Sequence, residues 1–302
     1  MTENPFDTAD LSDLDFAADL ADIADQITLS YYGRPNLGVA QKADLTPVSE
    51  ADRLVELKLR ERIAEVMPGD LILGEEFGVV GSLGEEFGVV GVERKANTPS
   101  NTGGTYRQWI IDPIDGTKNF IRGVPVWATL IALVVGAGSN RKVMVGVVSA
   151  PALGRRWRAG VGHGAWSERL GSTSNGDAKP LRVSKIDTLS EASLSYSSLT
   201  GWGALGLQDK FLQLALACGR SRAYGDFWSY MLLAEGAVDI ATEPELEVYD
   251  MAALVPIVTE AGGTFTSLSG QPGPWGGNAL ATNGLLKDVV QQRLSQPSKF
   301  IA

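Results

Sequence analysis

The sequence predicts a mixed α/β fold in which helices cover layered sheets. Three observations carry that prediction: apolar residues at helical spacing near the N-terminus, uninterrupted β-branched runs between residues 108 and 149, and strand-like and helix-like segments alternating after residue 155. With 302 residues, of which 44% are hydrophobic, the chain can fill one large domain or two modest ones, here read as lobes divided near residue 185.

Residues 1–12 read as a loose tail. Phe16, Leu20, Ile23, Ile27 and Tyr31 then recur at helical spacing until Gly33 and Pro35 stop the run. Ser49, with Asp52 three positions on, can cap a second helix whose stripe is Val55, Leu59, Ile63 and Val66. LIL (71–73) follows as a short strand, and the segment from Val79 to Thr105, rich in Gly, Ser, Asn and Thr, reads as a loop. QWII (108–111), WATLIALVV (127–135) and VMVGVVS (143–149) have the composition of buried strands. Next come RRWRAG as a strand, GSTSNGDAK as a turn, helices near 207–217 and 226–236, strand VDIAT (238–242), and a helix over 251–261. The first lobe spans 13–185, including a loop over 72–105, and the second spans 186–295.

Composition narrows the function. A net charge of −10 and a pI near 4.7 argue against a nucleic-acid or anionic-membrane surface, because both need clustered Lys and Arg. The acidic N-terminal stretch is unlike a secretory signal and no apolar run approaches a membrane span, so a cytoplasmic protein is expected. The single cysteine, Cys218, reads as a small hydrophobe. The single histidine, His163, excludes an HExxH pair or a multi-histidine zinc site, and a turn or exposed strand is its plainer role. Chemistry is left to carboxylates.

The most informative stretch is Asp112-Pro113-Ile114-Asp115-Gly116-Thr117, directly after an apolar strand. A strand end is a rigid base, and Pro113 restricts the backbone between the two carboxylates. Gly116 permits a sharp turn that offers amides to an anion. Carboxylates beside anion-binding amides call for a hard divalent cation between them, and Mg2+ is the expected ion. The competing account is a turn that uses Asp and Gly for local hydrogen bonds.

Three more segments accompany it: KADLTPVSEAD upstream, GEE after the short strand, and EVYDMAALVPIVTEAGG downstream. In this order they resemble the inositol monophosphatase superfamily of Mg2+-dependent, lithium-sensitive phosphatases, over about residues 15 to 290. The resemblance implies a layered αβαβα sandwich, a homodimer, and two or three Mg2+ per site. It implies that Glu75 (or Glu85), Asp112, Asp115, Asp250 and the Ile114 carbonyl bind metal, and that Thr117 and Asp52 orient the attacking water. The amides of Gly116 and Thr117 would hold phosphate, and Lys42 and Asp44 would steer substrate or a third ion. One departure is Tyr249-Asp250, where the family commonly has Trp-Asp.

The other departure is a duplication: ILGEEFGVVG (72–81) is followed at once by SLGEEFGVVG (82–91). A metal site has one slot for this carboxylate. The first copy follows a turn and an apolar strand directly behind helix two, whereas the second follows Gly-Val-Val-Gly-Ser, so Glu75 is assigned to the metal and Glu85 is its rival. The extra loop length costs only about 0.6 kcal/mol per doubling.

Asp226 in AYGDFWSY, with Glu243 and Glu247 in ATEPELEVYD, would place three acids near the group beyond phosphate. Such a pocket suits a cation better than a neutral polyol. Capping is the alternative for Asp226, and a solvated loop position for Glu247. The readings for Arg222 are a contact with phosphate, a contact with a partner subunit and a surface salt bridge. Trp157, Trp166, Trp202 and Trp228 read as core or lobe contacts. The segments RQWIIDPIDGTKNFIRGVPVWATLIAL, SAPALGRRW, SLSYSSLTGW and YGDFWSYMLLAEGAVDIATEPE are similar to the actinobacterial histidinol-phosphate phosphatases of this superfamily, whose substrate carries an amine and an imidazole. The competing functions are an inositol-1-phosphate phosphatase with broad sugar-phosphate tolerance and a catalytically idle metal-binding or assembly protein. A bisphosphate substrate would require a basic cluster, and only Arg155-Arg156 is evident.

The duplication yields a direct test. Glu75→Gln is expected to abolish Mg2+-dependent phosphate release while Glu85→Gln spares it, and the opposite pattern in a paired assay would reassign the ligand.

Overall fold

The computed structural model describes residues 8–35, 37–41, 47–80, 106–171 and 178–295. The chain begins with helix α1 (Leu11–Tyr31), a small pair β1 (Ala40–Gln41) and β2 (Pro47–Val48), helix α2 (Glu50–Val66), and the hairpin β3 (Leu71–Gly74) and β4 (Gly78–Val80). Strand β5 (Tyr106–Asp115), helix α3 (Thr117–Ile121), and strands β6 (Ala128–Gly136), β7 (Lys142–Ala150), β8 (Arg155–Gly160), β9 (Gly164–Arg169) and β10 (Lys179–Pro180) follow. Next are β11 (Ser193–Ser195), α4 (Gln208–Ala217), β12 (Arg220–Arg222), α5 (Asp226–Ala234) and β13 (Ile240–Glu243). The last elements are α6 (Val248–Met251), α7 (Leu254–Glu260), β14 (Thr264–Thr266), β15 (Ala279–Thr282) and α8 (Lys287–Ser295).

Among the described residues, eight strands form one sheet in the order β10-β9-β8-β7-β6-β5-β3-β4, and five form another in the order β12-β11-β13-β15-β14. Strand β6 shows why its sequence lacks polar alternation. Leu130, Ala132 and Val134 join the cluster that holds Phe227, Met231, Leu254 and Ile257 of α5 and α7, whereas Ile131 and Leu133 face the cluster of Leu20, Val55 and Leu59 from α1 and α2. Both faces of the large sheet are covered, so both sets must be apolar. The far side of α5 and α7 meets Ala241, Ala279 and Ala281 of the small sheet. The outer face of that sheet, Leu194, Ile240 and Leu280, packs on Phe211 and Leu214 of α4 and on Val290 and Leu294 of α8. The layers are therefore α, β, α, β, α, the sandwich that the resemblance implies.

The chain crosses from one sheet to the other between Pro180 and Ser193, and one apolar cluster spans both. Four expectations are corrected. The stretch 1–12 is not a tail throughout. The amide of Ala9 donates to the Val161 carbonyl (2.8 Å), the Asp10 side chain accepts from the Ser12 amide (2.9 Å), and α1 starts at Leu11. Residues 1–7 lie outside the described residues. Val79 and Val80, expected in a loop, form β4, because the turn after Gly74 folds the chain back onto β3 with Gly74 opposite Gly78. The rest of that loop, 81–105, lies outside the described residues. The predicted strand 238–242 is β13, displaced to 240–243. The helix predicted over 251–261 is two helices, because Pro256 has no N–H for the carbonyl an unbroken helix would bring to it. The break at Ala252 and Ala253 places Pro256 in the first turn of α7, where no such bond is needed.

Strand β7 and helix α7 meet at Gly146, where a Cβ would stand 2.2 Å from the Ala253 carbonyl oxygen. Gly146→Ala is expected to lower the unfolding free energy by about 1–3 kcal/mol, read from denaturant titration, because a backbone oxygen cannot step aside.

Candidate active site

The site forms where β3 and β5 end side by side. These strands are parallel, with Gly74 opposite Ile111, and the amide of Glu75 donates to the Ile111 carbonyl (3.2 Å). The next residues, Glu75 and Asp112, are thereby neighbours. Asp112 and Asp115 are three apart, and in a regular strand they would point to opposite faces. The pairing instead slips: Asp112 lies opposite Leu130 and Asp115 opposite Ala128, so β5 carries one extra residue. Pro113 sits in this bulge, where a missing N–H costs nothing, and its carbonyl accepts from Thr129 Oγ1 (2.8 Å). The extra residue returns both carboxylates to one side. The expected strand 108–111 thus runs on through the motif.

Asp250 arrives from the other end of the chain. It occupies the first turn of α6 and accepts from the Glu247 amide (2.7 Å), a capping arrangement that fixes its direction. One carboxylate oxygen each from Asp112, Asp115 and Asp250 lie within 4.8 Å of one another. Asp112 is buried and the other two are half-buried. Burial, followed by the charges of Glu75, Asp115 and Asp250, pushes the Asp112 carboxyl well above the usual range, and a hydrogen bond shared with Glu75 adds to it. Burial and the charges of Asp226 and Asp250 raise Asp115 in the same way, against the Phe227 amide that donates to it (2.7 Å). Asp250 is raised to about 7, again chiefly by burial. Hard carboxylate oxygens crowded into a buried place can ionise together only when a cation offsets their repulsion, and this donor set fits a hard divalent ion.

Gly116 follows with φ +82°, and a Cβ there would stand 3.0 Å from the Val126 carbonyl oxygen and 3.2 Å from Asp226 Oδ2. Thr117 opens α3 and donates from Oγ1 to the Ile114 carbonyl (3.0 Å), whose second lone pair remains for a cation. Asp52 is fully buried at the start of α2, where its Oδ2 accepts from the amide (2.8 Å) and hydroxyl (2.6 Å) of Ser49.

The acids expected to face substrate separate into two groups. Asp226 begins α5 with φ +48°, a rare conformation for a residue with a side chain, and strain of this kind clusters at functional sites. Its Oδ2 accepts from Asn119 Nδ2 (3.0 Å), and its amide donates to Ser197 Oγ (2.7 Å). Ser197 donates through its hydroxyl (2.7 Å) and amide (2.6 Å) to Glu243, which is buried at the end of β13 and raised to about 7 by that burial. Asp226 and Glu243 are thus joined through one serine. Burial also raises Asp226, while the Lys118 charge opposes the shift. Glu247 is exposed and acts as the helix cap, and Arg222 is exposed in β12 with its guanidinium on the Ser221 carbonyl (2.7 Å). Lys42, Asp44 and Glu85 lie outside the described residues.

Sequence reasoning did not single out Asn119 or Ser197. Asn119 lies within three residues of the Asp112–Thr117 motif, the one signal it carried; Ser197, one of several serines in SLSYSSLTGW, had none. Arg155 pairs with Glu235, and Arg156 with Asp22 (2.6 Å) and Asp25 (2.8 Å), so neither arginine stands uncompensated for a second phosphate. His163 receives the plain role expected of it, with Nε2 2.9 Å from the Ala9 carbonyl oxygen. Trp157 and Trp202 are fully buried, and Trp166 is exposed on β9.

Comparison with known proteins bears out the resemblance. The profile of the inositol monophosphatase family matches residues 10–297. A histidinol-phosphatase of Streptomyces coelicolor is 50% identical over 286 residues, 95% of this chain and 98% of that one. A histidinol-phosphatase of Mycobacterium tuberculosis is 50% identical over 285 residues, 94% and 98% of the two chains. An inositol monophosphatase from Zymomonas mobilis superposes with a TM-score of 0.74 at 28% identity, covering 94% of this chain and 98% of that one.

The raised carboxyls set the sign of a pH effect. Because the folded value of Asp250 lies near 7 against a usual 3.8, its contribution to stability in the metal-free protein is intact below about pH 4 and is lost as pH rises through 7. Divalent cations compete with those protons, so the rise in Tm on adding Mg2+ is expected to grow from about pH 5 to pH 8. A pH-independent increment in differential scanning fluorimetry would contradict this.

Proposed function

Because the chain belongs to the inositol monophosphatase family and is a phosphoric monoester hydrolase, we propose that its substrate is histidinol phosphate, cleaved by water to histidinol and phosphate. The observation that carries this reading is the convergence of Asp112, Asp115 and Asp250 within 4.8 Å beside the Asp226–Ser197–Glu243 group. Glu75, Asp112, Asp115, Asp250 and the Ile114 carbonyl would hold the metal. Two or three Mg2+ held there would supply Lewis acidity toward water and the ester oxygens. Thr117, which donates to Ile114, can accept a hydrogen bond from the attacking water and with Asp52 orient it in line with phosphorus. The amides of Gly116 and Thr117 donate to the phosphate oxygens. The water oxygen joins phosphorus as the ester P–O bond breaks, and a proton from that water passes to the leaving alkoxide.

The leaving group carries the selectivity. An ammonium beside Asp226 and Glu243 gains charge-assisted hydrogen bonds that a neutral polyol cannot offer. Relatives at 50% identity that bear the name histidinol-phosphatase support the same assignment. Lithium sensitivity, a homodimer and a cytoplasmic location belong to this reading, with Lys42 and Asp44 steering substrate.

Phosphate release from histidinol phosphate is expected in Mg2+ and to vanish with EDTA; an idle metal-binding protein would release none. The kcat/KM for histidinol phosphate should exceed that for inositol 1-phosphate, and Asp226→Asn should lower it about 10- to 100-fold while sparing inositol 1-phosphate. Equal kcat/KM values for the two esters would remove the cation argument.

A further inference from the structure

Glu56 is a fully buried acid on α2, one turn beyond Asp52, without a part in the reaction described above. A carboxylate in such a place is costly unless its lone pairs are filled. Three N–H donors fill them: the amides of Glu76 (2.7 Å) and Phe77 (3.1 Å), and Arg60 Nε (2.8 Å). All three contacts need an acceptor, which an ionised carboxylate supplies on both oxygens.

The two amides belong to the turn between β3 and β4, directly after Glu75. Gly74 completes the fit, because a Cβ there would stand 2.0 Å from Glu56 Oε1; the carboxylate fills the space a side chain would need. Arg60 also donates across the turn to the Gly78 carbonyl and lies over the Phe77 ring, 6.0 Å from its centre. On the strand side, the Glu75 amide is held by Ile111. The backbone on either side of Glu75 is therefore fixed by two different elements, β5 through one hydrogen bond and α2 through Glu56.

We infer that Glu56 is a positioning residue, whose carboxylate clasps the turn so that Glu75 meets Asp112 at the metal site. The inference rests on the metal-site reading above. It also supplies a selection rule for the duplicated GEEFG. The GEEFG segments of the two copies are identical, so only what precedes them in the chain separates them, and one carboxylate with its lone pairs engaged can hold only one turn. It holds the copy that adjoins α2.

The test uses the full chain stripped of metal, with Mn2+ as the probe and the free ion counted by electron paramagnetic resonance. Glu56→Gln, which turns an acceptor oxygen into a donor facing an N–H, should weaken Mn2+ binding about 10- to 100-fold, the usual cost of removing a group that orients a ligand. Gly74→Ala should do the same by displacing the carboxylate, which guards against a folding defect peculiar to one variant. In a Glu75→Gln background, Glu56→Gln should change the residual Mn2+ affinity less than about twofold, because the two residues act as one unit. Wild-type affinity in both single variants, or an undiminished loss in the Glu75→Gln background, would overturn the positioning role. Absence of Mn2+ binding by the wild-type chain would instead overturn the metal site itself.

Discussion

Three carboxylates that repel one another inside the protein set the terms for the rest of the structure. Bringing Asp112, Asp115 and Asp250 to within 4.8 Å is unfavourable by itself, since burial and like charge both disfavour ionisation. Only rigid supports can hold such an arrangement before a cation arrives. Asp112 and Asp115 stand on a ten-residue strand that is hydrogen-bonded on both sides, and Asp250 is capped into the first turn of a helix. Folding energy from the apolar layers is thereby converted into a preformed cluster of oxygen donors that fits a divalent ion.

The five-layer architecture explains how residues so far apart in the chain become neighbours. The large sheet supplies Glu75, Asp112 and Asp115 at the ends of two parallel strands, and the helix layer between the sheets supplies Asp250 and Asp226. Glu243 comes from the end of a strand in the small sheet, tied back to Asp226 through Ser197. The acids proposed to bind metal and those proposed to face substrate thus meet at the junction of the two sheets. In the proposed reading, hydrolysis belongs to the large sheet and the choice of ester to the second half of the chain.

Much of this was legible in the residues, and the omissions have physical causes. Long strands such as 128–136 announce themselves because burial on both faces demands unbroken apolar composition. The strands of the small sheet, three or four residues each in SLS, RSR, TFT and ALAT, are too short for any periodicity, and their pairing comes from distant segments. The bulge in β5 was half-visible. Pro113 shows that the ladder must be interrupted, but that exactly one residue is inserted depends on β6, which lies across from it. Pro256 likewise carried a readable signal, a helix that could not continue through it.

By itself the sequence determined the chemistry available: one histidine, one cysteine, no basic cluster, and carboxylates in motifs matching a metal-dependent phosphatase family. It determined the layered fold as well, because periodicity and composition report which faces must leave water. Tertiary structure alone decided which acids become neighbours. Asp226 and Glu243 are joined by a serine that no pattern marks, and the turn after Glu75 is held by a buried acid from a preceding helix. Such contacts depend on distances through space between segments far apart in the chain, and a linear pattern records spacing only along the backbone.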